Sequence, residues 1–575
     1  MKRFLRFFNY ARPSERPVAL GDAVILAAFA VLLYLGIRLA VSAPAEVTGP
    51  RVSLSPVVLP YYSLLSTGRM AAAYALSMLF TFLYGYLAAR SRRAERVLVP
   101  ILDILQSVPI LSFLPIVLLS LGAVLPIRAA AELSSIILIF TSQAWNLAFS
   151  WYQSLTTIPE ELREASSIFR FNFWMRFKTL ELSAAAVGLV WNSMMSWAGG
   201  WFFLMAAETF TVGERNFQLL GLGSYLKRAS VESDIAAILW GLIALISLIV
   251  VLDQLVWRPL LAWSNRFVLR MVEPGAPASS WFYDALKRSL LIELLGRAWS
   301  KLSDRLDEEI ARRWPPPADY AERMEYPGWI AYPLAVAGSA ALAYGGYRAI
   351  LLLAAVPALQ WAGIAAGLGA TFLRVLIALG IALAWTVPIG FAIGANPKLT
   401  RLLQPVVQVM AAIPATALFP LIVLVFLSLP GGLNAAAIVL MLLGTQWYLL
   451  FNIIAGASAI PRDLADSADI LQLRGWNKWR FLILPSIFPY AITGAITAAG
   501  GAWNASIVAE YVQFGGKTLS TLGIGSAISG ATAAGDFPML FAATLLMIVV
   551  VVLINRLFWR RLYVLAEERY GIERS

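Results

Sequence analysis

The sequence predicts an all-α polytopic membrane protein: about 12 transmembrane helices in two parallel six-helix repeats. Three observations predict it: apolar composition, a succession of hydrophobic segments long enough to span, and one residue pattern repeated at a fixed offset. Of 575 residues, 60% are hydrophobic and 14% charged, and the mean hydropathy is +0.73. Soluble domains sit near 45–50% apolar and about 25% charged. A soluble fold of this length could not cover so much apolar surface with so little polar surface.

Histidine and cysteine are both absent. Disulfides, thiolate nucleophiles, Cys/His zinc sites, His bases and a Ser-His-Asp triad are thereby excluded. No clustered Asp/Glu loop offers a carboxylate metal site, so no metal site and no catalytic residue are expected. The formal charge of +12 and a pI near 9.8 would point to nucleic acid in a soluble protein. In a membrane protein, Lys and Arg collect on cytoplasmic loops instead.

The elements follow in order. Met1 to Arg16 is basic and aromatic, without a small-residue cleavage site after a short apolar core, so no cleavable signal is expected. The apolar run from Val18 to Val41 is long enough to span, since about 20 residues cross the hydrocarbon. First-half segments lie at approximately 18–42, 69–90, 99–123, 134–155, 184–210 and 234–258. Second-half segments lie at approximately 328–356, 366–394, 402–429, 433–456, 486–511 and 535–559. These divide the chain into a first repeat (1–258), an amphipathic cytoplasmic linker (259–327) and a second repeat (328–575). Within the linker, Trp281 to Trp314 alternates apolar and charged residues at helical spacing until Pro315, Pro316 and Pro317 stop it.

Orientation follows from loop charge. Lys2, Arg3, Arg6, Arg12 and Arg16 precede the first span, Arg90 to Arg96 follows the second, and Arg560 and Arg561 follow the last. The alternate loops near Gly122–Ala131, Pro357–Gly363 and Leu427–Leu433 hold Arg128 alone. Both termini and the linker are expected in the cytoplasm, which accounts for the basic excess without nucleic acid.

The halves are copies of one unit. Trp145 and Trp447 are 302 residues apart, as are Ile158-Pro159 and Ile460-Pro461, Trp174 and Trp476, Trp201 and Trp503, and Glu208 and Glu510. Upstream the offset is 305, for Arg69 with Arg374, Pro109 with Pro414, and Pro115 with Pro420. An even number of spans per unit makes the repeats parallel, with a substrate path between them.

Between the fourth and fifth spans of each half lies a polar segment. The first reads Ile158-Pro-Glu-Glu-Leu-Arg-Glu164-Ala165-Ser166 and runs on through Trp174 to Leu182-Ser183. The second reads Ile460-Pro-Arg-Asp-Leu-Ala-Asp466-Ser467-Ala468 and runs on through Trp476 to Leu484-Pro485. Proline and acidic residues open a helix well, so each reads as a short helix, a turn and a second helix, suited to docking in a partner's groove.

These segments resemble the EAA loop of bacterial ABC importer inner-membrane permeases, whose pattern is Glu-Ala-Ala, three residues, Gly, nine residues, Ile-x-Leu-Pro. The Pro109–Pro115 and Pro414–Pro420 segments, the Ala-Ala-Glu208 and Val-Ala-Glu510 stretches and the Leu-Gly-x-Gly-Ser ends resemble the nitrate/sulfonate/taurine type. The resemblance covers about 65–260 and 366–562. It implies a type I importer permease fold, here duplicated and fused, in a bacterial inner membrane. It also implies separate ATP-binding cassette subunits, two copies, which carry ATP and Mg, and a periplasmic or lipid-anchored solute-binding protein. The cargo it implies is a small anion such as nitrate, bicarbonate or a sulfonate. The ATPase-coupling role falls on Glu164, Ala165, Ser166 and Trp174, and on Asp466, Ser467, Ala468 and Trp476. The chain departs from the pattern at the loop glycine, which is Arg170 in one copy and Gln472 in the other. Gly adopts positive φ freely where Arg or Gln is strained, so the turn geometry is open.

The Walker-like string Gly515-Gly516-Lys517-Thr518 has Tyr511 where a phosphate loop needs glycine, and no strand before it. It reads as a turn, and no cofactor site is expected in this chain.

Candidate path or gate residues are the paired ones. Arg69 and Arg374 either attract substrate or anchor at the interface. Glu208 and Glu510 can cap a helix, face the path or, the favoured reading, form a structural ion pair. Trp201 and Trp503, like Trp145 and Trp447, can line the pore or anchor at an interface. Asn146, Asn192 and Asn504 suit hydrogen bonds between helices, and Gly199-Gly200 and Gly500-Gly501 suit close helix approach. Pro109, Pro115, Pro414 and Pro420 can mark a gate-lining bend. The alternative reading is a 12-span secondary transporter, but mid-span acidic residues are nearly absent and the repeated loop has no role there.

Overall fold

A computed structural model describes residues 20–41, 49–212, 215–267, 280–313 and 328–570. The basic residues before Val18 and the Pro315–Pro317 stop lie outside them.

Repetition governs the helices. The first half holds α1 (Leu20–Val41), α2 (Leu59–Arg90), α3 (Arg92–Ser107), α4 (Ile110–Val124), α5 (Ile127–Thr156), α6 (Glu160–Ile168), α7 (Leu182–Glu208), α8 (Leu222–Val231) and α9 (Ile235–Leu252). The linker contributes a short helix, Trp281–Lys287, and α10 (Leu290–Arg313). The second half repeats the series as α11 (Gly328–Ala354), α12 (Ala358–Gly394), α13 (Pro397–Ala412), α14 (Ala415–Phe426), α15 (Gly432–Ser458), α16 (Arg462–Ile470), α17 (Leu484–Ala509), α18 (Ile524–Ala534) and α19 (Phe537–Ile554). Each half also has one antiparallel hairpin, Thr211–Val212 with Arg215–Asn216 and Tyr511–Phe514 with Lys517–Ser520.

All twelve expected segments are helical where described, but among the described residues eight helices are long and apolar enough to cross a membrane, or ten spans if two bent pairs each count as one. The segments expected at 99–123 and 402–429 are those pairs, bent by 98° between α3 and α4 and by 80° between α13 and α14. Proline forces the bends. Val108 and Ile413, each before a proline, are held extended at ψ 126° and 116°, because the pyrrolidine ring disfavours the helical region there. The segments at 184–210 and 328–356 are helical as α7 and α11 but fall outside the set of ten. The last helix of the first half also outruns its expected end at 258, continuing through a π turn, Asp253–Trp257, into Arg258–Ser264.

In each half three long helices form the trunk. Gly85 on α2 and Gly390 on α12 stand where a Cβ would meet Trp151 at 2.7 Å and Ile453 at 2.8 Å, so α5 and α15 approach closely only against glycine. Buried alanines fill the remaining contacts, Ala144, Ala148 and Ala185 in one half and Ala437, Ala498 and Ala502 in the other, as small residues do between membrane helices. One apolar cluster joins the halves, holding Leu111 and Leu114 with Leu440, Trp503 and Phe541. Polar bonds cross the same boundary: the Leu111 N–H donates to Asn504 Oδ1 (3.3 Å), Thr544 Oγ1 to the Ser112 carbonyl (3.2 Å), and Arg556 pairs with Asp103 (2.9 Å). Arg348 on α11 donates to the Tyr34 hydroxyl on α1 at 3.1 Å.

Candidate functional site

The polar segments between α5 and α7, and between α15 and α17, share one geometry. Pro159 and Pro461 stand immediately before α6 and α16. Each helix ends on a residue in the left-handed region, Arg170 at φ 50° and Gln472 at φ 52°. The Phe171 N–H donates to the Ser166 carbonyl (2.9 Å) and the Arg170 N–H to Ser167 (3.0 Å), and Leu473 and Gln472 bond likewise to Ala468 and Asp469. This is the double bond of a Schellman cap, usually closed by glycine. The turn therefore forms without its glycine in both copies, which resolves the open point of its geometry.

Each cap presents an exposed apolar pair, Ile168 with Phe169 and Ile470 with Leu471. Glu164, Asp466 and Ser467 are exposed and Ala165 is half-buried, while Ser166 and Ala468 are buried against the following turn. The two tryptophans part company. Trp476 is 71% exposed, but Trp174 Nε1 donates to Asp307 Oδ1 at 2.7 Å. Lys178 adds an ion pair to Asp307 Oδ2 (2.5 Å) and a bond to Ser303 Oγ (2.6 Å). The linker helix α10 thus grips the first segment. Lys178 and Trp174 hold the Asp307 carboxyl below its ordinary range, outweighing the burial that would raise it.

At the far end of α7 and α17, 27 and 26 residues on and therefore roughly 40 Å away, each half carries a buried ion-pair cluster. Arg69 Nη1 donates to Glu208 Oε1 (2.7 Å) and to the Leu220 carbonyl (2.8 Å), and its other nitrogens grip Glu132 at 2.6 and 2.7 Å. Ser66 Oγ and the Gly223 N–H donate to the same Glu208 carboxylate at 2.7 and 2.8 Å. The second half repeats the plan: Arg374 to Glu510 (2.6 Å) and Leu522 (2.8 Å), Thr371 and Gly525 to Glu510 (2.7 and 2.9 Å). Asn434 replaces Glu132 and accepts from Arg374 Nη2 at 2.6 Å. Gly221 and Gly523 lie so close to the carboxylates that no side chain fits.

Arg69 and Arg374 are buried, 5% and 7% exposed. Their donors are consumed by carboxylate, amide and carbonyl, the arrangement that makes a buried cation tolerable. Glu208 and Glu510 sit in the favoured ion pair.

Among the described residues, two of the cavities are lined by both halves. A smaller one of about 100 Å³ is lined by Trp201, Gly199, Pro414, Trp447 and Asn504. A larger one of about 410 Å³ is lined by Pro115 and Pro420, by Leu111 and Thr416 from the starts of α4 and α14, and by Lys227 and Ser529 from α8 and α18. Only the larger matches the roughly 300–1,000 Å³ of small-molecule sites. Pro109 sits at its bend but lines neither cavity, and Trp503 is buried and stacked on Phe372 at 6.4 Å. Asn146 on α5 donates to Ser196 on α7, and Asn192 on α7 donates to Ser150 on α5, at 3.1 Å each. Gly200 meets Gln143 and Met70 where a Cβ would lie 2.8 and 2.9 Å away, whereas Gly500 faces open space. Contrary to expectation a strand, Tyr511–Phe514, does precede the Walker-like string. A second strand, Lys517–Ser520, rather than a helix follows its two glycines, and Gly515 and Gly516, at φ 57° and 71°, make it the tight turn of the second hairpin.

The sequence reading missed Glu132, Asn434, Ser66, Thr371, Asp307, Lys227 and Thr416. The repeat offset held the signal for four of them: Ser66 with Thr371 at 305, and Glu132 with Asn434 at 302. Lys227 and Thr416 face Ser529 and Leu111 in the other copy, so a search for matched pairs passes over them.

Against known families, the chain matches the binding-protein-dependent transport system inner membrane component twice, at residues 81–256 and 377–562. It is 31% identical over 158 residues to the nitrate import permease protein NrtB of Synechococcus elongatus, covering 27% of this chain and 55% of that protein. It is 30% identical over 146 residues to the bicarbonate transport system permease protein CmpB of the same species (25% and 51%). It is 26% identical over 170 residues to the taurine transport system permease protein TauC of Escherichia coli (30% and 57%). The chain spans about half the length of the curated relatives it matches.

Proposed function

Because the chain belongs to the binding-protein-dependent transport system inner membrane component family, matched over more than half its length, we propose that it is the complete membrane pathway of an ATP-driven importer of a small anion. The two halves supply in one chain the two walls of the path. Two separate ATPase subunits engage the segments around Glu164–Ser166 and Asp466–Ala468 on the cytoplasmic face, where both termini also lie. A solute-binding protein delivers cargo to the opposite face, near the hairpins. The chain itself hydrolyses nothing, and ATP and Mg belong to the partner.

The observation that carries this reading is the coupling segment, present twice with the same Schellman turn and the same exposed apolar pair. A loop that merely joined spans would have no reason to keep left-handed Arg170 and Gln472 and to leave Ile168, Phe169, Ile470 and Leu471 in solvent. Glu164, Asp466, Trp174 and Trp476 flank these docking edges, and Pro115, Pro420, Trp201 and Pro414 border the path. The names of the relatives, for nitrate, bicarbonate and taurine, support an anionic cargo.

The test is uptake into proteoliposomes holding this chain, its ATPase and its binding protein. ATP inside the nucleotide-accessible compartment should drive accumulation of nitrate, bicarbonate or taurine. Uptake that tracks an imposed proton gradient and ignores ATP would return the chain to the secondary-transporter class.

A further inference from the structure

The larger cavity is walled by two copies of the same elements, so each lining residue can be compared with its twin. Pro115 corresponds to Pro420, and Ser230 to Thr532. The copies differ at several lining positions, and at two of them one half carries a polar group with no partner in the fold: Lys227 where the other half has Ser529, and Thr416 where the other half has Leu111. Neither group is used by the fold. Thr416 Oγ1 is buried without a hydrogen-bond partner, and Lys227 makes no hydrogen bond or ion pair among the described residues. Its neighbour Arg228 is occupied, bonded to Glu232 at 2.7 Å and to the Val52 carbonyl. No Asp or Glu lines the cavity among the described residues.

We propose that Lys227 and Thr416 form a single, off-axis binding site for a small oxyanion in the cavity between the two halves, one half supplying the charge and the other a hydroxyl donor. This rests on the anion-importer reading and adds the residues that hold the cargo in transit. An unpaired ammonium in a partly buried cavity without a carboxylate is costly, and an arriving anion relieves that cost while a neutral solute does not. Burial pushes the Lys227 ammonium down to about 8, so it is charged at neutral pH but held weakly. One cation and one hydroxyl make a resting place rather than a trap. By contrast, Arg69 and Arg374 already hold their own carboxylates and have nothing to offer a passing anion.

The test uses the full complex in proteoliposomes, with nitrate, bicarbonate and taurine as probes. For whichever probe the native complex imports, Lys227→Met is expected to lower uptake at least about tenfold, the worth of one charge-assisted hydrogen bond. Lys227→Arg should keep at least a third of it, and Thr416→Val should lower it by about threefold. Moving the charge across the pseudo-twofold, as Lys227→Ser with Ser529→Lys, should restore uptake relative to Lys227→Ser alone. Native-rate uptake by Lys227→Met would overturn the site and leave the importer reading standing. A loss that neither Lys227→Arg nor the moved charge relieves would mark Lys227 as structural and overturn the site as well. If the native complex imports none of the three anions while importing a neutral solute, the anionic reading falls, and this site with it.

Discussion

The two halves carry the same Arg–Glu cluster at the same place, yet they do not close it with the same chemistry. Arg69 is gripped by two carboxylates, Glu208 buried and Glu132 about half exposed. Arg374 has one carboxylate, Glu510, and an amide, Asn434, in place of the second. Both clusters tie the hairpin end of α7 or α17 to α2 or α12 and to the start of α8 or α18. The second pays for its buried cation with a single anion. Duplication thus preserved the joint and relaxed its electrostatics on one side, and a like relaxation separates the two polar segments: α10 grips the first through Asp307, while Trp476 of the second stays exposed.

The sharpest way to break this comparison is to remove the shared anion. Glu510→Gln should cost about 3–5 kcal/mol, because it leaves Arg374 buried with no carboxylate. Glu208→Gln should cost about 2 kcal/mol, since Glu132 remains on Arg69. Denaturant unfolding of the detergent-solubilised protein, followed by tryptophan fluorescence, reads the difference. Equal losses would show that Glu132 carries no compensating charge, and Asn434→Asp should recover part of the loss in the Glu510→Gln background.

The coupling segments offer a functional contrast. Glu164→Arg and Asp466→Arg, made separately, should impair ATP-driven uptake unequally, because the first segment is braced by α10 and the second is not. Matching losses would sink the idea that fusion made the two ATPase contacts inequivalent. A smaller effect is expected from Asp307→Asn. The partners are about a third exposed, so solvent screening holds the ion pair to about 1 kcal/mol or less. Hydrogen exchange should quicken over residues 172–181 and stay unchanged over 474–483; equal change in both would place the brace elsewhere.

The smallest effect should be symmetric. Arg170→Gly and Gln472→Gly each relieve a left-handed residue worth about 1 kcal/mol and should raise stability by less than that, since glycine also loosens the unfolded chain. A fall in melting temperature for either would mean that the Arg or Gln side chain, not the backbone turn, holds the cap.

How much of this was legible beforehand depended on whether the signal was local. Composition, span-length apolar runs and the 302 and 305 offsets determined the helical class, the duplication and the segments that repeat, because each is a property of the chain read along itself. Proline at 109 and 414 likewise fixed the two bends by steric exclusion acting on the preceding residue. An ion pair for Glu208 was among the readings that the sequence allowed, but finding Arg69 as its partner needed the third dimension: 139 residues separate the two, and burial alone decides whether an arginine near a helix end snorkels to solvent or is sealed. Tertiary structure also decided what lies between the halves. Lys227 and Thr416 come from different copies and share one cavity only because α8 and α14 both border it, and Asp307 finds Trp174 only because α10 folds back on the first polar segment. Contacts of that kind have no period and no spacing. They arise from packing two diverged copies against each other, so the sequence determined the unit and the fold determined how the units differ.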